Sequence, residues 1–337
     1  MRALERLFEA GAAEADIDRF FDALPETDDS ASILRKIFRK PDGAVRDQIP
    51  FLSDLYRNGM YVEHRPGARV AFIFYCTYLD CAGTALARSV LSRLNAHCIY
   101  LYDNQQLNFA RGIPQLGPTV DDTYAAWKQH VREWGVDRVI TIGSSAAGFA
   151  AIFNAVKHGT YGSVTFAPFT TFGDDFHRND GRSWAMLNRI SRSAPDFLFD
   201  LRPGIAGREP PLRLVCFYSQ ELPQDAWHAT RLRGIPGVFP IAINSDKHGL
   251  FMLLLLNGLF AFLMQRLSNE EPIEDAVAHV RSRFSPRKPR VSDVKKRLLK
   301  APLPLPVRKF KAREKECSSV FELLVAGGGF EPPTSGL

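Results

Sequence analysis

The residues best suited to chemistry lie in a turn of small side chains at positions 143–148, GSSAAG. An apolar run of strand length, DRVITI, leads into this turn, and a segment with helical spacing, FAAIFNAVKHG, leaves it at once. A serine in such a turn can act as a nucleophile when a neighbouring base takes its proton, because its own deprotonation is negligible at neutral pH. The same small-residue pattern also occurs in plain tight turns and in phosphate-binding loops. The turn therefore indicates a chemical site whose partners must define the chemistry.

In this strand–turn–helix context the segment resembles the nucleophile elbow of the α/β-hydrolase superfamily, which reads G-x-S-x-G. Gly143 and Ser145 match that motif, whereas Ala147 replaces its second glycine with another small residue. The resemblance implies that Ser145 is the nucleophile and that the backbone N–H of Ala146 forms one half of an oxyanion hole. It covers roughly 200 of the 337 residues and reaches the superfamily, not one enzyme.

The superfamily places its acid and then its histidine after the serine in the chain. His248 follows the apolar run VFPIAIN, and the resemblance implies that it takes the Ser145 proton and returns it to the leaving group. For the acid we prefer Asp225, because the stretch DAWHA looks like the acid-to-helix segment of several bacterial members, although an aspartate there can also cap a helix. Glu221 is the alternative acid, and Asp246 is a third candidate.

The second oxyanion donor is expected in the loop that follows the first predicted strand of the domain. The backbone N–H of Thr77 or Tyr78 can serve there, because backbone donors do not require glycine. The glycine pair seen in many esterases is missing from this loop, and an ordinary strand-to-helix turn is the alternative interpretation. The resemblance implies neither a metal ion nor an organic cofactor.

Short, nearly all-apolar runs alternate with helical segments from position 68 onward, and this alternation predicts a parallel sheet covered on both faces. We therefore expect an α/β domain over 61–270, built on a doubly wound, mostly parallel sheet, and the resemblance implies that this domain is α/β-hydrolase-like. The predicted strands are 68–78, 97–104, 137–143, 163–169, 212–219 and 238–244.

Four further segments are expected around this sheet. Residues 1–60 are predicted to form a short N-terminal helical segment. Residues 171–211 are rich in aromatic and charged residues, and we expect them to form a helical insertion or lid over a partly apolar pocket. The apolar stretch 250–264 is shorter than the roughly twenty residues that span a bilayer, so a buried helix is preferred over shallow membrane contact. Residues 271–337 are predicted to form a basic, disordered tail.

The net charge of +6 has its source in that tail. Residues 281–315 contain fourteen Lys and Arg against two acids, a balance of +12, so the remaining residues sum to −6. Nucleic-acid binding is not expected, since no folded nucleic-acid module accompanies the charge. The alternatives for 281–315 are a solvated tail and peripheral contact with an anionic membrane. The five cysteines lack zinc-like or CxxC spacing, so we expect a cytoplasmic protein. Association of this protein with a membrane through 281–315 is the alternative.

These observations predict a serine hydrolase that cleaves an ester or related acyl bond through an acyl-enzyme on Ser145. The expected substrate is a small-molecule or glycan ester, and the sequence leaves the oligomeric state open. The alternative is a non-catalytic, hydrolase-like accessory protein of a surface-polysaccharide or secretion pathway. The altered elbow at Ala147 and the glycine-free oxyanion loop favour that alternative.

Overall fold

The computed structural model describes residues 2–23, 38, 48–76, 80–173, 175–180, 182, 184–197 and 200–283. Its strands are β1 (Met60–Glu63), β2 (Val70–Cys76), β3 (His97–Tyr102), β4 (Arg138–Ser144), β5 (Gly162–Phe166), β6 (Arg213–Ser219) and β7 (Val238–Ile243). Its helices are α1 (Arg2–Glu9), α2 (Glu14–Asp22), α3 (Gln48–Asn58), α4 (Cys81–Leu91), α5 (Val120–Glu133), α6 (Ser145–His158), α7 (Asp175–Asn179), α8 (Trp184–Ser193), α9 (Leu201–Ala206), α10 (Pro223–Arg231), α11 (Leu250–Leu256), α12 (Leu259–Ser268) and α13 (Ile273–Arg283). A 3₁₀ turn, Pro195–Phe197, joins α8 to the segment before α9.

The seven strands form one sheet in the order β1-β3-β2-β4-β5-β6-β7. Every neighbouring pair is parallel except β1 and β3, which are antiparallel. Every residue of β2, VAFIFYC, is buried, as a strand covered by helices on both faces requires. The predicted doubly wound, mostly parallel α/β fold is confirmed. The edge strand β1 was not predicted, because its residues MYVE are only half-buried and give a weak apolar signal.

The two faces of the sheet carry separate cores. Along β2, Phe72 and Phe74 face one core, and Ile73 and Tyr75 face the other, in the two-residue alternation of a strand. Buried apolar residues of α1, α2 and α3 belong to the first core, together with those of α4 and α11–α13. The described helices of the segment 1–60 thus share the core of the sheet and do not form one of their own.

The segment between β5 and β6 contains α7, α8, the 3₁₀ turn and α9, so the predicted insertion is helical. Its apolar side chains, including Phe176, Ile190 and Phe197, pack in one cluster with Phe149 and Ile152 of α6. The insertion therefore rests on the helix that begins at the candidate nucleophile.

The apolar stretch 250–264 was predicted as one buried helix, and this prediction is wrong in one respect. The chain forms two helices, α11 and α12, that are bent by 80°. The break falls at Gly258, whose φ of +74° is the left-handed conformation that glycine adopts readily. Every residue of α11 is buried. Within the described residues no single helix is long and apolar enough to cross a membrane, although α11 and α12 taken together reach that length and composition.

The predicted start of the tail at residue 271 is also wrong. Helix α13 lies inside the assigned tail and packs against α12, β6 and β7. Its buried residues Ile273, Ala276, Val277 and Val280 have the spacing of one helical face, so the helix completes the core. Residues 284–337 lie outside the described residues, and the expected membrane contact through 281–315 stays a prediction.

Candidate active site

The candidate nucleophile lies where β4 ends and α6 begins. Ser145 has a φ of +52°, an unusual conformation for a residue with a side chain and one that occurs at functional turns. A Cβ at Gly143 would lie 2.3 Å from the carbonyl oxygen of Ala147, and one at Gly148 would lie 2.8 Å from the Cβ of Pro168. The chain therefore turns too tightly at Gly143 to accommodate a side chain there. Ala147, the departure from the motif, is accommodated as a buried residue.

His248 meets Ser145 across the carboxyl edge of the sheet. Its Nε2 lies 2.7 Å from Ser145 Oγ, which is hydrogen-bonding distance. The histidine lies in the loop between β7 and α11, where Ser219 Oγ donates a hydrogen bond to the carbonyl of Lys247. The ring of Phe169 lies parallel to the imidazole, with 6.1 Å between their centroids. A hydrogen-bonded loop and an aromatic ring thus orient the histidine.

Asp225 is the carboxylate that contacts the histidine. It lies in the first turn of α10, after the N-cap residue Leu222, and its Oδ1 is 2.8 Å from His248 Nδ1. Its side chain is only 1% exposed, whereas Glu221 and Asp246 are exposed residues. The structure thus places Ser145, His248 and Asp225 in one line, with each pair at hydrogen-bonding distance.

The expected oxyanion donors fall partly within the described residues. Ala146 lies in the first turn of α6, where a backbone N–H has no partner within the helix and can bind an anion. Thr77 and Tyr78 lie outside the described residues, so their role stays a prediction. Strand β2, which leads to them, is the sheet neighbour of β4, so its carboxyl end lies beside the elbow.

An arginine of the insertion, which the sequence did not single out, joins this site. Arg182 Nη1 donates to Asp225 Oδ1 over 2.9 Å and lies 2.8 Å from His248 Nδ1. Its Nε and Nη2 donate to the two carboxylate oxygens of Asp180, each over 2.6 Å. The guanidinium therefore bridges a carboxylate of the insertion to the candidate triad.

A buried histidine, His228, contacts Asp180 on the side away from the candidate triad. The backbone N–H of Thr170 donates to Nδ1 of His228 over 3.1 Å, so Nδ1 is an acceptor. The proton of the neutral ring then lies on Nε2, which is 3.1 Å from Asp180 Oδ2 and donates to it. His228 lies three residues after Asp225 on α10, and this spacing was the one sequence signal for its place in the network.

Burial and hydrogen bonding define the charges of this network. Burial lowers the pKa of His228 below its usual value, so the ring is neutral near pH 7. Burial alone would raise the pKa of Asp180, but the hydrogen bonds from Arg182 and His228 outweigh it and hold that pKa below the usual range. Burial opposes the charge of Arg182 as well, and pairing with Asp180 and Asp225 raises its pKa despite this. Asp180 and Arg182 are therefore a charged pair.

The described residues include no group of three or more His, Cys, Asp or Glu side chains that could hold a metal ion. The chemical groups of the described site are a hydroxyl, an imidazole, a carboxylate and the backbone N–H of Ala146, which are groups used in acyl transfer through a serine.

No protein-family model and no curated protein sequence matches the chain. Among solved structures, carboxyl esterase 2 of the fungus Tuber melanosporum is 13% identical, with a TM-score of 0.43 over 62% of this chain and 81% of that one. An esterase of Pyrobaculum calidifontis is 13% identical, with a TM-score of 0.41 over 66% and 79%. The capsule O-acetyltransferase of Neisseria meningitidis serogroup A is 14% identical, with a TM-score of 0.40 over 67% and 90%.

Similarity at this level carries no conclusion about activity. The chain's own features define its fold: a mostly parallel sheet, a strand–elbow–helix turn with a strained serine, and an acid and a histidine that follow in that order. The chain has the fold of the α/β-hydrolases, as the sequence predicted.

Proposed function

We propose that the protein is a serine hydrolase that cleaves an ester or related acyl bond through an acyl-enzyme on Ser145. The observation that supports this proposal most is the unbroken line from Ser145 Oγ to His248 Nε2, at 2.7 Å, and from His248 Nδ1 to Asp225 Oδ1, at 2.8 Å. A nucleophile, a base and a group that orients the base, each within hydrogen-bond reach of the next, are the requirements of this chemistry.

In the proposed acylation, Ser145 Oγ attacks the carbonyl carbon of the substrate while His248 Nε2 takes the hydroxyl proton. Asp225 accepts a hydrogen bond from His248 Nδ1–H and stabilises the imidazolium that forms. The tetrahedral intermediate places its negative charge on the former carbonyl oxygen, toward the Ala146 N–H. Its collapse breaks the bond to the leaving alcohol, which receives the proton from His248.

Deacylation repeats these steps with water as the nucleophile. His248 takes a proton from the water, the resulting hydroxide attacks the acyl carbon, and the proton returns to Ser145 Oγ as the acid product leaves. The Ala146 N–H stabilises the second oxyanion, and a Thr77 or Tyr78 N–H is the proposed second donor. Removing one such donor typically lowers kcat by about 10²–10³-fold.

The proposed substrate is a small-molecule or glycan ester with a short acyl group. Ser145 is 9% exposed and the His248 side chain 14% exposed, so the reacting atoms are recessed. The ring of Phe169 beside His248 gives the histidine an apolar neighbour. A short acyl chain suits a recessed, apolar environment better than a charged group does.

A fluorophosphonate probe tests the proposal directly, because it labels only an activated serine. We expect the wild-type protein to be labelled and Ser145→Ala to abolish labelling. Ser144→Ala is the matched control and should keep the labelling, because the Ser144 hydroxyl donates to the carbonyl of Phe166. With a short-chain p-nitrophenyl ester, Asp225→Asn should lower kcat by about 10⁴-fold, since no carboxylate then favours a proton on His248 Nδ1 or stabilises the imidazolium.

The alternative function, a non-catalytic accessory protein, makes the opposite prediction. A folded wild-type protein that neither reacts with the probe nor cleaves short-chain esters would support the accessory function and refute the hydrolase. Labelling that persists in Ser145→Ala would show a different reactive serine and would also contradict the mechanism.

A further inference from the structure

The contact of Arg182 with the triad has a consequence for how the histidine carries its proton. Three atoms, Arg182 Nη1, Asp225 Oδ1 and His248 Nδ1, lie within hydrogen-bond distance of one another. Nη1 is 2.9 Å from Oδ1 and 2.8 Å from Nδ1, and Nδ1 is 2.8 Å from Oδ1. The carboxylate is an acceptor and the guanidinium only a donor, so the imidazole nitrogen is the one group of the three that can take either role.

The two tautomers of a neutral His248 ring would make different hydrogen bonds with Arg182 and Asp225. With the proton on Nδ1, the ring donates to Asp225 and its Nε2 is free to take the Ser145 proton. The Nδ1–H then faces an N–H-bearing nitrogen of a cation at 2.8 Å, which is repulsive. With the proton on Nε2, Nδ1 and Asp225 Oδ1 are both acceptors, and the two hydrogens of Arg182 Nη1 can donate one to each of them. The Nε2–H then donates to Ser145 Oγ. In that tautomer the histidine cannot act as a base.

We propose that Arg182 holds the triad in a resting state by favouring the Nε2–H tautomer of His248 and by opposing the formation of its imidazolium. This inference rests on the proposed serine hydrolase function. Arg182 is a positioning residue that acts on His248 in the opposite direction from Asp225, which favours a proton on Nδ1 and stabilises the charged ring.

The surroundings of Arg182 hold it in this contact. Asp180 binds the guanidinium through both oxygens, His228 donates to Asp180, and the backbone N–H of Thr170 donates to His228. The Arg182 Cζ also lies 5.7 Å from the centroid of the Phe169 ring. A bidentate carboxylate and an aromatic ring restrict a guanidinium far more than a single contact does. The position of Nη1 against Nδ1 is therefore built into the site.

Nitrogen-15 NMR of the histidine-labelled full-length protein reads the tautomer without depending on activity. The His248 signals are identified by their loss in His248→Gln. We expect wild-type His248 to carry its proton on Nε2, and the double variant Asp180→Asn/Arg182→Met to carry it on Nδ1. A wild-type ring with its proton on Nδ1 would overturn the inference, and this spectrum decides it even if the double variant does not fold.

Fluorophosphonate kinetics give a second, independent measurement. The folded double variant should label at Ser145 about tenfold faster than wild type, because the ring regains its base form and loses a neighbouring cation. Arg178→Met is the matched control and should label at the wild-type rate, since the exposed Arg178 of the same insertion pairs with Asp175. Equal or slower labelling of the folded double variant contradicts the inference. No labelling of any variant would instead refute the hydrolase proposal, and the tautomer would still be read by NMR.

Discussion

The substitution Gly143→Ala is predicted to disable the site without touching a reacting group. An added Cβ would lie 2.3 Å from the carbonyl oxygen of Ala147, 2.7 Å from its carbonyl carbon and 2.9 Å from the nitrogen of Gly148. All three are backbone atoms of the first turns of α6, so no side chain can rotate away to make room. Strand β4 and helix α6 must separate instead, and Ser145 lies at their junction.

The size of the effect follows from these distances. Ordinary contacts between carbon atoms begin near 3.5 Å, so the nearest contact requires a relative displacement of about 1 Å. Overpacking of this kind typically costs about 1–3 kcal/mol of the free energy of unfolding. A misplacement of about 1 Å at a reacting group can cost about 100-fold in rate. We therefore expect Gly143→Ala to be moderately destabilised but to label at Ser145 about 100-fold more slowly than wild type.

Gly159→Ala separates loss of stability from loss of geometry. Gly159 is the C-cap of the same helix, with a φ of +70° and no atom within 4 Å of an added Cβ. The left-handed conformation should cost this variant roughly 1–2 kcal/mol, with no displacement of Ser145. Urea unfolding gives the stabilities and fluorophosphonate labelling gives the rates. If Gly143→Ala labels within twofold of the wild-type rate, or if Gly159→Ala slows labelling as much as Gly143→Ala does, then a side chain at position 143 does not displace Ser145 and the reasoning is refuted.

Two further predictions concern the core and the buried charges. Ile273→Ala should lower the free energy of unfolding by about 2–5 kcal/mol, because Ile273 is fully buried. The control Glu274→Ala breaks an exposed ion pair with Arg213 and should lower it by no more than about 1 kcal/mol. Equal effects in urea unfolding would place α13 outside the core. Asp180→Asn should destabilise the protein at pH 7. Burial alone would raise the pKa of Asp180, but the hydrogen bonds from Arg182 and His228 outweigh burial, so the pKa in the folded protein is lower than in the unfolded chain. That stabilisation is present above the unfolded pKa of about 3.9 and lost as the pH falls below it, so the stability difference should shrink between pH 5 and pH 3; a constant difference would contradict the pairing.

The geometry of the candidate triad could be anticipated because it depends on strand order and not on detailed packing. Strands β4, β5, β6 and β7 are neighbours in the sheet in the same order as in the chain. Residues that follow the carboxyl ends of these parallel strands therefore emerge along one edge. Ser145 follows β4, Asp225 lies after β6 and His248 after β7, so the chain order that the resemblance implies brings them to one edge of the sheet.

Features that depend on a single backbone conformation or on distant contacts were not predictable in the same way. The left-handed Gly258 divides an apolar run that we interpreted as one helix; Asn257 and Gly258 interrupt the run, but the sequence does not give the 80° bend. Helix α13 carries an apolar stripe, but the prolines and cations that follow it obscured that signal. Arg182 lies between two helices of the insertion, and its contact with Asp225 joins residues that are 43 positions apart.

The charges of the site explain why the double variant is the decisive test of Arg182. The charges of Asp180, Asp225 and Arg182 sum to −1 in the wild-type protein, and Arg182→Met alone would leave the two buried carboxylates with a charge of −2. Such a variant would change the net charge and the stability together, because an unpaired buried carboxylate is costly. In Asp180→Asn/Arg182→Met only Asp225 remains charged, so the sum is again −1. Any change in the tautomer of His248 then reports the position of the guanidinium against Nδ1 and not the total charge of the cluster.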